Sequence, residues 1–102
     1  STDHKALMIS PEKGIMGFPV NYINSDTDYF AGYHLYSISR DDFKLKGRVT
    51  HVPDGTLMNK VRGEDLIYRG FYIGNDLYTV SYGQLQVHDL ATLDKKGSLS
   101  LK

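Results

Sequence analysis

Short runs of alternating apolar and polar residues recur along this chain and are separated by turn signals. The clearest run is Gln-Leu-Gln-Val-His at 84–88, in which the leucine and the valine share one face. Strict alternation of this kind predicts a half-buried β-strand. The run at 97–102 alternates in the same way and predicts that Leu99 and Leu101 face the core. The pattern therefore predicts strands and no long helix.

Turn signals such as Pro53-Asp54-Gly55 divide the chain into eight predicted strands. Pro19 lies inside the second strand and removes a donor from the ladder, which predicts a bulge or a sheet edge there. Residues 60–64 have room for a single helical turn. The predicted strands cover residues 5–10, 15–23, 29–39, 43–52, 67–73, 77–81, 84–88 and 97–102.

The eight strands fall into two similar units. Residues 1–56 form the first unit, residues 57–65 are the connection, and residues 66–102 form the second unit. Repeated four-stranded units of roughly 40–50 residues are typical of propeller blades. The predicted fold is therefore all-β, with two four-stranded antiparallel units that resemble consecutive β-propeller blades.

Composition narrows the classes of partner and chemistry. Lys+Arg and Asp+Glu are both 12 among 102 residues, so the net charge is zero and no basic excess favours nucleic acid. There is no cysteine, which excludes disulfides, thiolate zinc sites and a cysteine nucleophile. No apolar run approaches the roughly 18 residues that would span a bilayer. Residues 1–5 show no signal-peptide apolar region.

The four histidines do not predict a metal site. His4, His34, His51 and His88 have no helical or hairpin ligand spacing, which favours surface or hydrogen-bonding roles. His34 and His88 occupy comparable places in the two units.

The oxygen-rich segment 24–28 is interpreted as a solvated loop. An EF-hand loop needs glycine at its sixth position, and counting from Asp26 that position is Ala31. No metal and no cofactor are predicted.

Candidate catalytic groups are weak. Adjacent carboxylates at Asp41-Asp42 and Glu64-Asp65 lie in turns, where neighbouring side chains point apart. The chain has no Gly-x-Ser-x-Gly elbow, and Gly14 and Gly17 precede no helix that would cradle a phosphate. No catalytic residue is therefore assigned, and the chain is predicted not to be an enzyme.

Tyrosines are the strongest candidates for an interaction surface. Tyrosine supplies a large contact area at a low entropy cost. The alternative interpretation is that these side chains cover the core between sheets and place their hydroxyls at the rim. The residues proposed for the surface are Tyr29, Tyr33, Tyr36 and Tyr82.

Several short motifs resemble a known family. They are Asp3-His4-Lys5-Ala6 with Ser10-Pro11-Glu12-Lys13, Gly47-Arg48-Val49-Thr50-His51, and Tyr68-Arg69 followed by Tyr72-Ile73-Gly74 and Leu77-Tyr78-Thr79-Val80-Ser81. Together they resemble the secreted bacterial and archaeal β-propeller domain family that is distantly related to WD repeats. The resemblance covers nearly the whole chain and fits the C-terminal end of that domain. It implies a secreted or cell-surface location and no catalytic residues, with the export signal outside this chain.

Three functions follow as hypotheses. The first is a non-catalytic extracellular scaffold that binds protein partners through loops. The second is part of a ligand-binding or enzymatic propeller whose site lies in the central channel. The third is a small β domain that associates with its own copies through open sheet edges, although Lys95, Lys96 and Lys102 would blunt one edge.

Overall fold

Two four-stranded antiparallel sheets make up the computed structural model, which describes residues 6–102. Each sheet is a meander in which neighbouring strands are also consecutive in the chain. The all-β prediction with two four-stranded units is therefore confirmed. Sheet A contains β1 (Met8–Ser10), β2 (Ile15–Ile23), β3 (Tyr29–Ile38) and β4 (Phe43–Val49), and sheet B contains β5 (Arg69–Ile73), β6 (Asp76–Val80), β7 (Gln84–Asp89) and β8 (Lys95–Ser100).

The predicted end of β4 is too late. The strand ends at Val49, three residues before the predicted end at residue 52. The Thr50 hydroxyl donates to the backbone oxygen of Ala31 at 2.6 Å, and His51 then turns toward sheet B. The connection that follows contains two 3-10 turns, Met58–Lys60 and Gly63–Asp65.

Among residues 6–102, Pro19 lies at a local sheet edge, as predicted. In this part of the chain β1 pairs with residues 15–17 of β2, so β3 is the one strand beside Pro19. The missing proline donor is tolerated where a strand has a free side.

The sheets pack face to face, and the side of each sheet that meets the other is called its inner face. Tyr33 lies at the centre of this contact with an exposed fraction of 0%. Its ring fits between two glycines, Gly17 on β2 and Gly70 on β5. A Cβ at Gly17 would lie 2.6 Å from a Tyr33 ring carbon. The buried apolar cluster comprises Met8, Ile15, Tyr33, Leu35, Val49, Ile67, Leu77 and Leu90.

Gly70→Ala is expected to lower the free energy of unfolding by about 1–3 kcal/mol. The added methyl group would overlap the Tyr33 ring, which is too confined to move away. Urea denaturation of Gly70→Ala, Tyr33→Leu and the double variant measures the coupling. The double variant should lose less than the sum of the single losses, because the smaller side chain leaves space for the methyl group. Additive losses would contradict this packing.

Leu99 and Leu101 do not face the core, so that prediction is wrong. Leu99 is 60% exposed and Leu101 is also exposed. Alternation shows which residues of a strand share a face but not which face is covered. On β7 the polar residues of the alternating pattern point inward, and Gln86 and His88 are buried on the inner face.

The two sheets are structural repeats of each other, and a matching bulge establishes the correspondence. The β3–β4 register shifts between Leu35 and Tyr36, and the β7–β8 register shifts between Val87 and His88. With these bulges aligned, the strand pairings extend the correspondence to the other strands, so that β1, β2 and β4 correspond to β5, β6 and β8. The inner face of sheet A then corresponds to the outer face of sheet B, and the outer face of sheet A to the inner face of sheet B. This relation is expected of consecutive blades.

Candidate interaction surface

Three loops gather at one end of the two sheets and form a surface called here the loop face. It comprises residues 24–28 between β2 and β3, residues 50–68 between β4 and β5, and residues 81–83 between β6 and β7. Backbone hydrogen bonds join these loops. The Met58 amide donates to the Asp26 oxygen at 3.0 Å, and the Gly83 amide donates to the Glu64 oxygen at 2.9 Å. The long connection is therefore held against both short loops.

An exposed aromatic pair stands on the loop face. Tyr82 is 74% exposed and Tyr68 is 46% exposed, and their rings stack with centroids 4.9 Å apart. The Tyr68 amide donates to the Val80 oxygen at 2.9 Å, which holds one ring at the start of β5. Exposed aromatic side chains of this size are more informative than scattered aliphatic ones, because Tyr is enriched in protein interfaces.

Charged groups border the aromatic pair. Glu64 pairs with Arg62 at 2.8 Å and with Lys102 at 2.7 Å. The Lys102 hydrogen bond lowers the pKa of Glu64, so this carboxylate stays ionised at neutral pH. Such exposed pairs contribute little to stability, but they form a polar rim beside an apolar contact.

Two depressions lie on the loop face beside sheet A. One of about 300 Å³ has a mixed polar and apolar wall and is lined by Thr27, Tyr29, Phe30, Thr50 and residues 52–57. An apolar one of about 190 Å³ is lined by Tyr22, Tyr29, Met58, Val61 and Leu66, among others. Tyr29 borders both of them, and its hydroxyl donates to the Thr56 oxygen.

A buried histidine bridges the two sheets beneath the loop face. His51 Nδ1 lies 2.7 Å from Ser81 Oγ, and His51 Nε2 lies 2.8 Å from Thr79 Oγ1. All three residues are buried. Each hydroxyl can donate to or accept from the ring nitrogen that it faces, so the neutral imidazole completes both hydrogen bonds in either tautomer.

Burial lowers the pKa of His51 to about 4, with smaller contributions from the charges of His88 and Lys95. The unfolded chain takes up the His51 proton near its ordinary pKa of 6.5, whereas the folded chain does so only near pH 4. Stability from this site is therefore complete above pH 6.5 and is lost progressively as the pH falls to about 4. The expected loss is of order 3 kcal/mol.

Urea denaturation at a series of pH values checks this dependence. His51→Gln, which does not titrate, should show a shallower decline between pH 6.5 and 4 than the wild type. Equal slopes for the two proteins would contradict a neutral, buried His51.

The structure separates the predicted surface tyrosines. Tyr82 lies on the loop face and Tyr29 borders it at the start of β3, whereas Tyr36 lies on the outer face of sheet A, stacked between Phe18 and Phe43. The prediction is wrong for Tyr33, because its side chain is fully buried between the sheets. Tyr68 is not among the four tyrosines proposed for the surface, and the structure places it just before β5 and not inside the strand predicted at 67–73.

The candidate metal ligands do not converge in the described part of the chain. Among residues 6–102, no group of three or more His, Asp or Glu side chains is arranged to hold an ion. In the loop at 24–28 the Ser25 hydroxyl accepts from the amides of Thr27 and Asp28, and the Asn24 side chain donates to the Asp28 carboxylate. His4 lies outside the described residues.

His34 and His88 both lie on the third strand of their sheets. In the repeat alignment His88 corresponds to Tyr36, two residues beyond His34, so the two histidines are not equivalent. Burial lowers the pKa of His88 and of His34, which leaves both side chains neutral at pH 7.

Comparison with known proteins assigns the family. The family model of the beta propeller domain matches residues 1–93. The chain belongs to the β-propeller domain family. Searches of curated proteins and of solved structures return no match. Sheets A and B are thus two blades of a propeller, and the loop face is the blade end at which the β2–β3, β4–β5 and β6–β7 connections meet.

The residues that the structure describes include no helix long and apolar enough to cross a membrane.

Proposed function

We propose that this chain is a non-catalytic, extracellular propeller segment that binds a protein partner through the loop face. The observation that carries the proposal is the stacked and exposed Tyr68–Tyr82 pair. The two rings are stacked on each other, and tyrosine has few rotatable bonds, so little side-chain entropy is lost when a partner covers them. The extracellular location rests on the resemblance to a secreted family.

The surroundings of the pair indicate the chemistry of the partner. An aromatic platform beside an Arg62–Glu64–Lys102 ion network suits a segment that presents an apolar or aromatic side chain flanked by polar groups. A buried aromatic anchor with a polar rim is the usual anatomy of a binding hot spot.

A displayed library of random peptides tests the proposal and does not require the natural partner. Peptides selected on the wild-type chain should bind the Tyr68→Ala/Tyr82→Ala variant at least about tenfold more weakly, since hot-spot aromatics contribute about 2 kcal/mol or more. Binding is measured by titration calorimetry. Selected peptides that bind the double variant as tightly as the wild type would refute a loop-face site.

Phe71→Ala is the matched control. Phe71 also belongs to an exposed stacked pair, with Tyr78 at 5.1 Å, but it lies on the outer face of sheet B. Its removal should change peptide affinity by less than about twofold. A panel of hydrolase and oxidoreductase substrates offered to the complete natural protein tests the competing channel-site hypothesis. Turnover that a single substitution abolishes would support that hypothesis and contradict ours.

A further inference from the structure

The two outer faces of the chain correspond, residue by residue, to the two inner faces that pack against each other. Aligning the bulges makes the outer face of sheet B the counterpart of the inner face of sheet A. The outer face of sheet A is likewise the counterpart of the inner face of sheet B. If a second copy is placed beyond sheet B, the outer face of its sheet A can pack on the outer face of sheet B. This contact would have the same geometry as the contact between the two inner faces.

The histidine bridge has an apolar counterpart on the outer faces. His51 corresponds to Leu101, and its partners Thr79 and Ser81 correspond to Phe18 and Val20. A histidine among hydroxyls is thus replaced by a leucine among apolar side chains. If the two outer faces meet, an apolar side chain therefore lies against apolar side chains at this position.

A glycine contact is repeated in the same way. Leu93 reaches over Gly47, where an added Cβ would overlap its methyl group. The counterparts are Phe43, which is 57% exposed, and Gly97, which has open space above it. The outer faces thus offer a large exposed ring and an empty glycine position for it.

The contact of Tyr33 with a glycine also has a counterpart on the outer faces, formed by two side chains that together fill a similar space. Tyr33 packs on Gly70 between the inner faces, and the counterparts of these residues are Leu85 and Leu7. A large side chain on a glycine is replaced by two side chains of intermediate size. Each face changes in shape, but the combined volume of the two facing side chains stays similar.

We propose that the outer face of sheet B in one copy docks on the outer face of sheet A in the next copy, head to tail. Such a heterologous contact closes into a ring when the rotation permits. Propellers typically have about 4–8 blades, so rings of about two to four copies would result. This surface is separate from the loop face and does not depend on the proposed function.

Light scattering and sedimentation of the intact chain over a range of concentrations provide the first test. The wild type should reach a discrete mass of about two, three or four times that of one chain, which is the closure expected of a ring. Phe43→Glu on sheet A and Gly97→Lys on sheet B should each remain monomeric. The Phe43 ring is 57% exposed, and a side chain added at Gly97 would meet open space.

Mixing the two blocked variants is the decisive experiment. Phe43→Glu retains an intact outer face on sheet B, and Gly97→Lys retains one on sheet A, so an equimolar mixture should form dimers of one copy of each. Ser98→Lys is the matched control, because it adds the same charge on the other side of β8. It should assemble as the wild type does. Circular dichroism verifies that all variants are folded.

Three outcomes would overturn the proposal. The first is a wild type that stays monomeric at every concentration. The second is assembly of both blocked variants by themselves, which would indicate pairing through sheet edges. The third is a mixture of folded, monomeric variants that forms no dimer.

Discussion

Replacing His51 with alanine is expected to lower the free energy of unfolding by roughly 3–5 kcal/mol, because two buried hydrogen bonds are lost and a cavity is left. The imidazole lies 2.7 Å from Ser81 Oγ and 2.8 Å from Thr79 Oγ1, and Thr79 and Ser81 are both fully buried. Its removal leaves both hydroxyls without the partner that joins them to sheet A. Urea denaturation of the variant measures the loss.

His51→Gln provides the comparison for this variant. A glutamine side chain has one acceptor and two donors, so it retains part of the bridge and should lose less stability than alanine. A loss below about 1 kcal/mol for His51→Ala would contradict a bridging role for the imidazole, since that is the range of an ordinary surface substitution.

Tyr33→Ala is expected to have an effect of similar size, about 3–5 kcal/mol. The Tyr33 ring is the largest fully buried side chain and fills the space between Gly17 and Gly70. Glycines on both sides have no side chains with which to fill the vacated space, so the cavity persists. The midpoint of urea denaturation and the temperature of half-unfolding both measure the loss.

Tyr33→Phe separates the ring from its hydroxyl. Among the described residues the buried Tyr33 hydroxyl has no hydrogen-bond partner. Removing an unsatisfied buried polar group is expected to leave stability unchanged or to raise it by about 1 kcal/mol. Desolvation by burial raises the pKa of this phenol, so the group stays neutral in the folded chain. A loss of more than about 1 kcal/mol in Tyr33→Phe would show that the hydroxyl has a partner after all.

Strand positions are accessible from sequence because they depend on local patterns. The run at 84–88 forms β7 (Gln84–Asp89), and the turn at Gly74-Asn75 joins β5 to β6. Turn residues and alternation act over a few positions, and sequence reasoning detects them directly.

The sequence does not show in the same way which face of each strand is buried. Alternation together with the usual inward direction of apolar side chains predicts Leu99 in the core, yet Leu99 is exposed on the outer face of sheet B. A blade has apolar side chains on both faces, since a neighbouring blade covers each one. Which face is covered within a two-blade chain depends on the packing of whole sheets.

Only part of the candidate site can be predicted from the sequence. Tyr82 is identifiable because it precedes the glycine of a tight turn, where side chains are exposed. The bridging role of His51 is not, since its partners lie 28 and 30 residues away and meet it only through the packing of β6 against the end of β4. The available signal is the pair Thr79 and Ser81, two hydroxyl residues spaced to share one face of a strand.

Proton NMR titration of the histidine side chains tests the central claim, that sheets A and B are adjacent blades joined through His51. Docked sheets predict that His51 titrates near pH 4 and shows cross-relaxation to the methyl group of Thr79 at neutral pH. A His51 that titrates near its ordinary pKa of 6.5 with no contact to Thr79 would mean that the two sheets are not docked in this way.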